Sequence, residues 1–166
     1  MKISLLLLIS LFIGCQPAEP AYLLKTEDGD GRCGYADAAG NPVIPVGKYQ
    51  FCFTDTLRHF AAVIKPEGGC MAIDKTGNEL YEIYWYDNGP DYFSDGLFRI
   101  KKDGKIGYAD EQGKIVIAPQ FACAEPFEEG KARVALNCTL VPDGEMSVME
   151  SSEWFYIDKS GKKISD

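Results

Sequence analysis

The chain has 166 residues, 46% of them hydrophobic, with 17 Lys and Arg against 25 Asp and Glu and a formal net charge of −8. That is the size of one ordinary domain with enough apolar material for a core. The basic residues are scattered singly among more numerous acids, which argues against a nucleic-acid partner, because counterion release needs a basic stripe.

Met1 and Lys2 precede an apolar run from Ile3 to Ile13, interrupted only by Ser4 and Ser10. The run is too short to span a bilayer of about 30 Å as a helix, so residues 1–14 read as an export signal rather than an anchor. The tetrad Phe12-Ile13-Gly14-Cys15 resembles the lipobox of bacterial lipoproteins, which implies cleavage before Cys15 and its lipidation. Acyl chains contribute about 0.8 kcal/mol per buried methylene and would hold such a protein on a membrane. Residues 15–20, with Pro17 and Pro20, form an extended tether,. Gln16 in place of Asp implies, by the same resemblance, the outer membrane of the bacterial cell envelope. Residues 21–166 are then the folded domain.

No helical period appears after the signal, and the elements in chain order are all extended. The expected strands are Tyr22–Lys25, Phe60–Ile64, Gly96–Ile100 and Ala132–Leu136, each a short apolar or alternating run. After each comes a second strand ending in an Asp-x-x-Gly tetrapeptide: Asp37 to Gly40, Asp74 to Gly77, Asp110 to Gly113 and Asp158 to Gly161. Aspartate can bond its own backbone two residues on, and glycine at the fourth place tolerates positive φ, so the tetrapeptide suits a tight hairpin turn. A third strand follows, clearest in Lys114–Pro119. The spacing of the motif predicts an all-β tandem repeat of about four three-strand antiparallel units. An open stack and a small propeller-like ring both satisfy the count.

Gly104-Lys105-Ile106-Gly107-Tyr108-Ala109-Asp110-Glu111-Gln112-Gly113-Lys114-Ile115-Val116-Ile117-Ala118-Pro119, followed by Phe121, Phe127, Gly130, Ala132 and Val134, resembles the WG repeat family. The first repeat matches it fairly through Gly34, Tyr35, Asp37 and Gly40, and the second and fourth are degraded. Cys33, Cys70 and Ile106 stand where the family has its Trp, and Trp154 survives without the following Gly. The resemblance implies a tandem all-β architecture, often in exported or surface proteins, and carries no catalytic residues.

Several features invite a functional reading. The run Tyr81–Phe93 is the largest departure of the second repeat from its siblings. Tyr84, Tyr86, Asp87 and Tyr92 are the candidate ligand-binding residues, because flat aromatics beside acids and amides suit a sugar ring or a peptide. Strand alternation would set Trp85 on the opposite face from Tyr84 and Tyr86, and its alignment with Phe121 predicts a core aromatic there. Residues 137–153, which lengthen the last interval, read as a long surface hairpin or loop. Asp28-Gly29-Asp30-Gly31 looks like a calcium-loop fragment but has Ala39 where the bidentate Glu would stand, and a hairpin is the expected reading,. Beyond Cys15 there are five cysteines, Cys33, Cys52, Cys70, Cys123 and Cys138, whose equivalent places in the repeats fit buried thiols or structural disulfides with the pairing left open. His59 is the sole histidine, and with no Cys-x-x-Cys pair no metal or other cofactor is expected. No Ser/His/Asp signature is present. The expected function is therefore a non-catalytic binding or envelope-structural module, with an unknown envelope protein or glycan as partner; a hydrolase using surface carboxylates is the alternative.

Overall fold

The computed structural model describes residues 20–144 and 146–165. The export signal, Cys15 and nearly all of the tether lie outside the described residues. Those residues hold strands and turns and no helix.

The first unit contains β1 (Leu23–Glu27), β2 (Cys33–Ala36), β3 (Pro42–Tyr49), β4 (Phe51–Cys52) and β5 (Thr56–Leu57). The second contains β6 (Ala61–Ile64), β7 (Cys70–Ile73), β8 (Glu79–Ile83) and a small hairpin of β9 (Trp85–Tyr86) and β10 (Gly89–Pro90). The third contains β11 (Leu97–Lys102), β12 (Lys105–Asp110), β13 (Ile115–Phe121) and β14 (Cys123–Ala124). The fourth contains β15 (Lys131–Ala135), an inserted hairpin of β16 (Thr139–Asp143) and β17 (Met146–Glu150), then β18 (Phe155–Asp158) and β19 (Lys163–Ile164). In the first three units three antiparallel strands follow one another through tight turns, and in the fourth the inserted hairpin, which falls within residues 137–153 as the sequence predicts, separates β15 from its partner β18. No sheet closes on itself: the orders are β3-β2-β1-β5, β13-β12-β11-β8-β7-β6-β4 and β14-β15-β18-β19, with two separate two-stranded hairpins.

The Asp-x-x-Gly turns behave as the sequence predicts and share one hydrogen-bond pattern. The Oδ1 of Asp37 accepts from the backbone N–H groups of Ala39 and Asn41, and that of Asp110 from Gln112 and Lys114. Asp74 and Asp158 do the same two and four residues on. Each closing glycine has positive φ, from +77° at Gly113 to +85° at Gly40. Asp28 to Gly31 proves to be a fifth copy: Asp28 accepts from the N–H groups of Asp30 and Arg32, and its carboxylate is spent on these and on the Arg32 side chain.

Successive units share cores. Ala61, Val63 and Ile73 pack with Leu23, Tyr35 and Ile44 of the first unit, whereas Ala62 and Ala72 pack with Phe98 and Ala109 of the third. Leu97, Ile106 and Tyr108 in turn face Ala132, Val134 and Ile157 of the fourth. Strand alternation thus sends neighbouring residues into two different cores, and each unit is stable only against its neighbours.

Turns register this stacking. Ile44, Tyr81 and Ile117 each stand seven places after a motif aspartate, and each meets the closing glycine of the next unit. A Cβ on Gly77 would sit 3.4 Å from Ile44, and one on Gly161 would sit 3.3 Å from Ile117. Tyr81 donates its hydroxyl hydrogen to the carbonyl of Gly113 at 2.7 Å.

One position sets how a unit joins the next. At Gly34 a Cβ would collide with the carbonyl oxygens of Ile44 and Pro45, and at Gly107 with that of Ile117. These glycines let β3 and β13 bulge across β2 and β12 and pair again beyond, as Cys33 with Tyr49 and Ile106 with Phe121. The second unit has Met71 in that place, β8 ends at Ile83, and Ile83 pairs directly with Ile100 of β11. The second and third units therefore merge, with β4 of the first unit at the edge beside β6, into one seven-stranded sheet, and the residues after Ile83 are turned outward.

Cys33 bonds Cys52 and Cys123 bonds Cys138, while Cys70 is a buried free thiol. Burial pushes the Cys70 thiol up to about 12. The first bridge fastens β2 to β4, and the second fastens β14 to the residue just before β16.

Candidate functional site

Because β8 ends early, the chain leaves the sheet after Tyr84 and folds back as β9 and β10, with Tyr86 paired to Gly89 and Trp85 to Pro90. Asp87 takes a left-handed φ of 53° at the tip, a conformation that Asp and Asn tolerate better than most residues. The alternation across β9 is as expected, with Trp85 meeting Phe53 on one side and Tyr86 meeting Tyr92 on the other. Trp85 itself corrects the sequence expectation: it is 45% exposed rather than a core aromatic. Phe121 is buried through the crossing that Gly107 permits; Met71 replaces that glycine in Trp85's unit.

The most buried part of the site is an ion pair that the sequence reading missed. Asp91 and Arg99 are both buried, and the guanidinium engages the carboxylate through Nη2 to Oδ1 at 2.6 Å and Nε to Oδ2 at 3.0 Å. The backbone N–H of Arg99 donates to the same carboxylate at 2.7 Å, and Nη1 donates to the Ala124 carbonyl at 3.2 Å. Burial by itself pulls Arg99 down, but the hydrogen bonds and charge of Asp91 outweigh it and hold the guanidinium above its ordinary value. The Tyr84 ring lies 4.3 Å and the Tyr86 ring 5.4 Å from the guanidinium carbon, so the cation fixes both rings from below. Tyr84 is also tied by backbone bonds, its N–H to the Arg99 carbonyl and its carbonyl to the Asp91 N–H. Burial pushes the Tyr84 hydroxyl up.

Above this base lies an open cleft of about 1000 Å³. One wall is Tyr84 to Asn88 with Tyr92; the other is built by Glu125, Pro126, Glu128 and Arg133 and by Leu140, Ser147, Val148 and Met149 of the inserted hairpin. All four sequence candidates, Tyr84, Tyr86, Asp87 and Tyr92, line this one cleft. Tyr86 and Tyr92 are largely exposed and Tyr84 is half-buried. On the far wall Glu125 and Arg133 form a two-bond ion pair, and the Arg133 guanidinium stacks 4.5 Å from the Trp154 ring. Met149 packs against the core of the third and fourth units, and Cys138, bonded to Cys123, fixes the base of the hairpin. Among the described residues no group of three or more His, Cys, Asp or Glu is placed to hold a metal ion.

The far wall was invisible to the sequence because its residues come from a different unit and from an insertion. Arg99 could have been suspected, since Leu97-Phe98-Arg99-Ile100 is a charge inside an apolar strand, and a charge buried there requires a partner.

No curated protein and no solved structure matches the chain. Residues 71–105 and 106–137 match the family model described as the WG containing repeat. The first stretch runs from Met71 through β11 and the second from Ile106 through β15, so the two adjacent stretches that carry the near wall of the cleft and part of its far wall are the ones similar to the WG containing repeat.

Proposed function

We propose that the protein is a non-catalytic binding module that captures its ligand in the cleft between the β9–β10 hairpin and the β16–β17 hairpin, and that it does so from the bacterial cell envelope, anchored through a lipidated Cys15. The observation that carries this reading is the convergence of exposed aromatic faces, Tyr86 and Tyr92, with Asp87 around one large opening whose base is held rigid by Arg99 and Asp91. Aromatic side chains offer much contact area at little cost in conformational freedom, which suits recognition of a ring or an extended chain.

Support for binding rather than hydrolysis comes from how the carboxylates are used. Asp91 and Glu125 each give both oxygens to a guanidinium, so neither is free to shuttle protons. The localisation rests on the lipobox resemblance of Phe12 to Cys15. Metabolic labelling with a radioactive fatty acid tests it: the wild type takes up label and Cys15→Ser does not. Broad panels of glycosidase, esterase and peptidase substrates test the mode of action, with no turnover expected and turnover abolished by Asp87→Asn contradicting the reading.

A further inference from the structure

The binding reading leaves the ligand class open, and the following inference rests on that reading. Both hairpins that flank the cleft are isolated two-stranded sheets. Each of their strands therefore has one edge with no strand partner among the described residues, and an unpaired edge is a template for an added strand.

Along β17 the cleft touches Ser147, Val148 and Met149 in succession. Side chains alternate across a strand, so Ser147 and Met149 share a face with Leu140, the partner of Met149, while Val148 points the other way,. A cavity that touches three successive residues runs along the strand's edge as well as over one face. The backbone groups of that edge match an incoming peptide, whose N–H and C=O groups recur at strand spacing; a glycan has no such series.

Charge selects among peptides. Arg99 is taken up by Asp91, and Arg133 is taken up by Glu125. Asp87 and Glu128 also line the cleft and form no ion pair among the described residues, Asp87 receiving only a bond from the neutral Asn88 amide. The charges left over are thus both negative, in a chain of net charge −8. We propose that the cleft takes an extended basic peptide segment, which adds as a third strand along β17 and directs Lys or Arg side chains to Asp87 and Glu128, with its apolar side chains against Tyr86, Tyr92 and Leu140.

The test uses the chain carrying Cys15→Ser and fluorescence anisotropy of labelled acetyl-Lys-Val-Lys-Thr-Lys-Val-Lys-amide. Saturable binding is expected, weakened about tenfold or more by N-methylation of alternate amides in the register that faces β17, and by Glu in place of every Lys. Asp87→Asn with Glu128→Gln should weaken it about fivefold or more and flatten its salt dependence, while Asp103→Asn, in the exposed turn between β11 and β12, leaves it unchanged. No binding, or equal affinity for both N-methylated registers, overturns the inference. Saturation by chitohexaose alone, abolished by Tyr86→Ala, would overturn the peptide class while leaving the binding-module reading standing; no binding of either probe would count against both.

Discussion

The hydroxyl of Tyr81 donates to the carbonyl oxygen of Gly113 at 2.7 Å, across a sequence separation of 32 residues. It joins the third strand of the second unit to the Asp-x-x-Gly turn of the third, at the place where Ile44 and Ile117 make the apolar version of the same contact. Tyr81→Phe keeps the ring beside Phe98 and removes only the bond. The expected loss is about 0.5–1.5 kcal/mol in urea unfolding, with an unchanged m-value. No loss would show that the hydroxyl adds nothing to the junction.

Gly113 and Gly40 close equivalent turns with φ of +77° and +85°, yet their surroundings differ. A Cβ on Gly40 meets nothing within 4 Å, whereas one on Gly113 would stand 2.6 Å from Phe60 Cδ1. Both alanine variants incur the left-handed strain of about 1–2 kcal/mol. Gly113→Ala should lose a further 1–3 kcal/mol, roughly, from overpacking against Phe60. Equal losses by chemical denaturation would refute the docking of this turn on the second unit.

The turn aspartates predict a sign for acid sensitivity. The Asn41 side chain and backbone N–H bonds hold Asp37 below the usual carboxylate range, and the Ser160 hydroxyl with backbone N–H bonds does the same for Asp158. A carboxyl depressed in the folded state contributes stability that is present above its unfolded value near 4 and is lost as pH falls through the folded value. Wild-type stability should therefore fall as pH drops below about 4, and Asp37→Ala with Asp158→Ala should flatten that fall while lowering stability at neutral pH. A pH-independent difference between the two proteins would contradict the assignment. Both groups are exposed, so the effect per turn is modest.

Cys70 is buried with its thiol pushed up to about 12, and the other four described cysteines are paired. In the Cys15→Ser protein one thiol should react with a maleimide, slowly at neutral pH in the folded state and at once in denaturant. Reduction before denaturation should raise the count to five. Three reactive thiols without reduction would mean that one bridge does not form.

The repeat itself was legible because each Asp and Gly pair fixes its own local hydrogen bonds, independent of the rest of the chain. Asp28 to Gly31 was legible as a hairpin for the same reason, although its identity as a fifth copy of the turn shows only in the bonds that Asp28 accepts from Asp30 and Arg32. Trp85 was misplaced because alignment assumed that every third strand follows the same path. The path depends on one residue with no side chain, Gly34 or Gly107, and Met71 closes it in the second unit. The candidate residues Tyr84, Tyr86, Asp87 and Tyr92 were found as a local cluster, while the wall facing them depends on Glu125, Arg133 and the β16–β17 hairpin, which only the stacking of units brings near. The cysteine pairing was undetermined for a related reason: Cys52 and Cys123 occupy equivalent places, but Ile106 stands where Cys33 would offer Cys123 a partner, and Cys138 takes that role.

The most direct test of the binding account is isothermal titration of the wild type and of Tyr86→Ala with Tyr92→Ala, both with Cys15→Ser, against the lysine-alternating heptapeptide and chitohexaose. The account predicts that the wild type binds one of these and that the double variant, melting at the same temperature, loses at least tenfold in affinity, a change of about 1.4 kcal/mol. Equal affinity in the two proteins, or no heat of binding from either ligand, would contradict it.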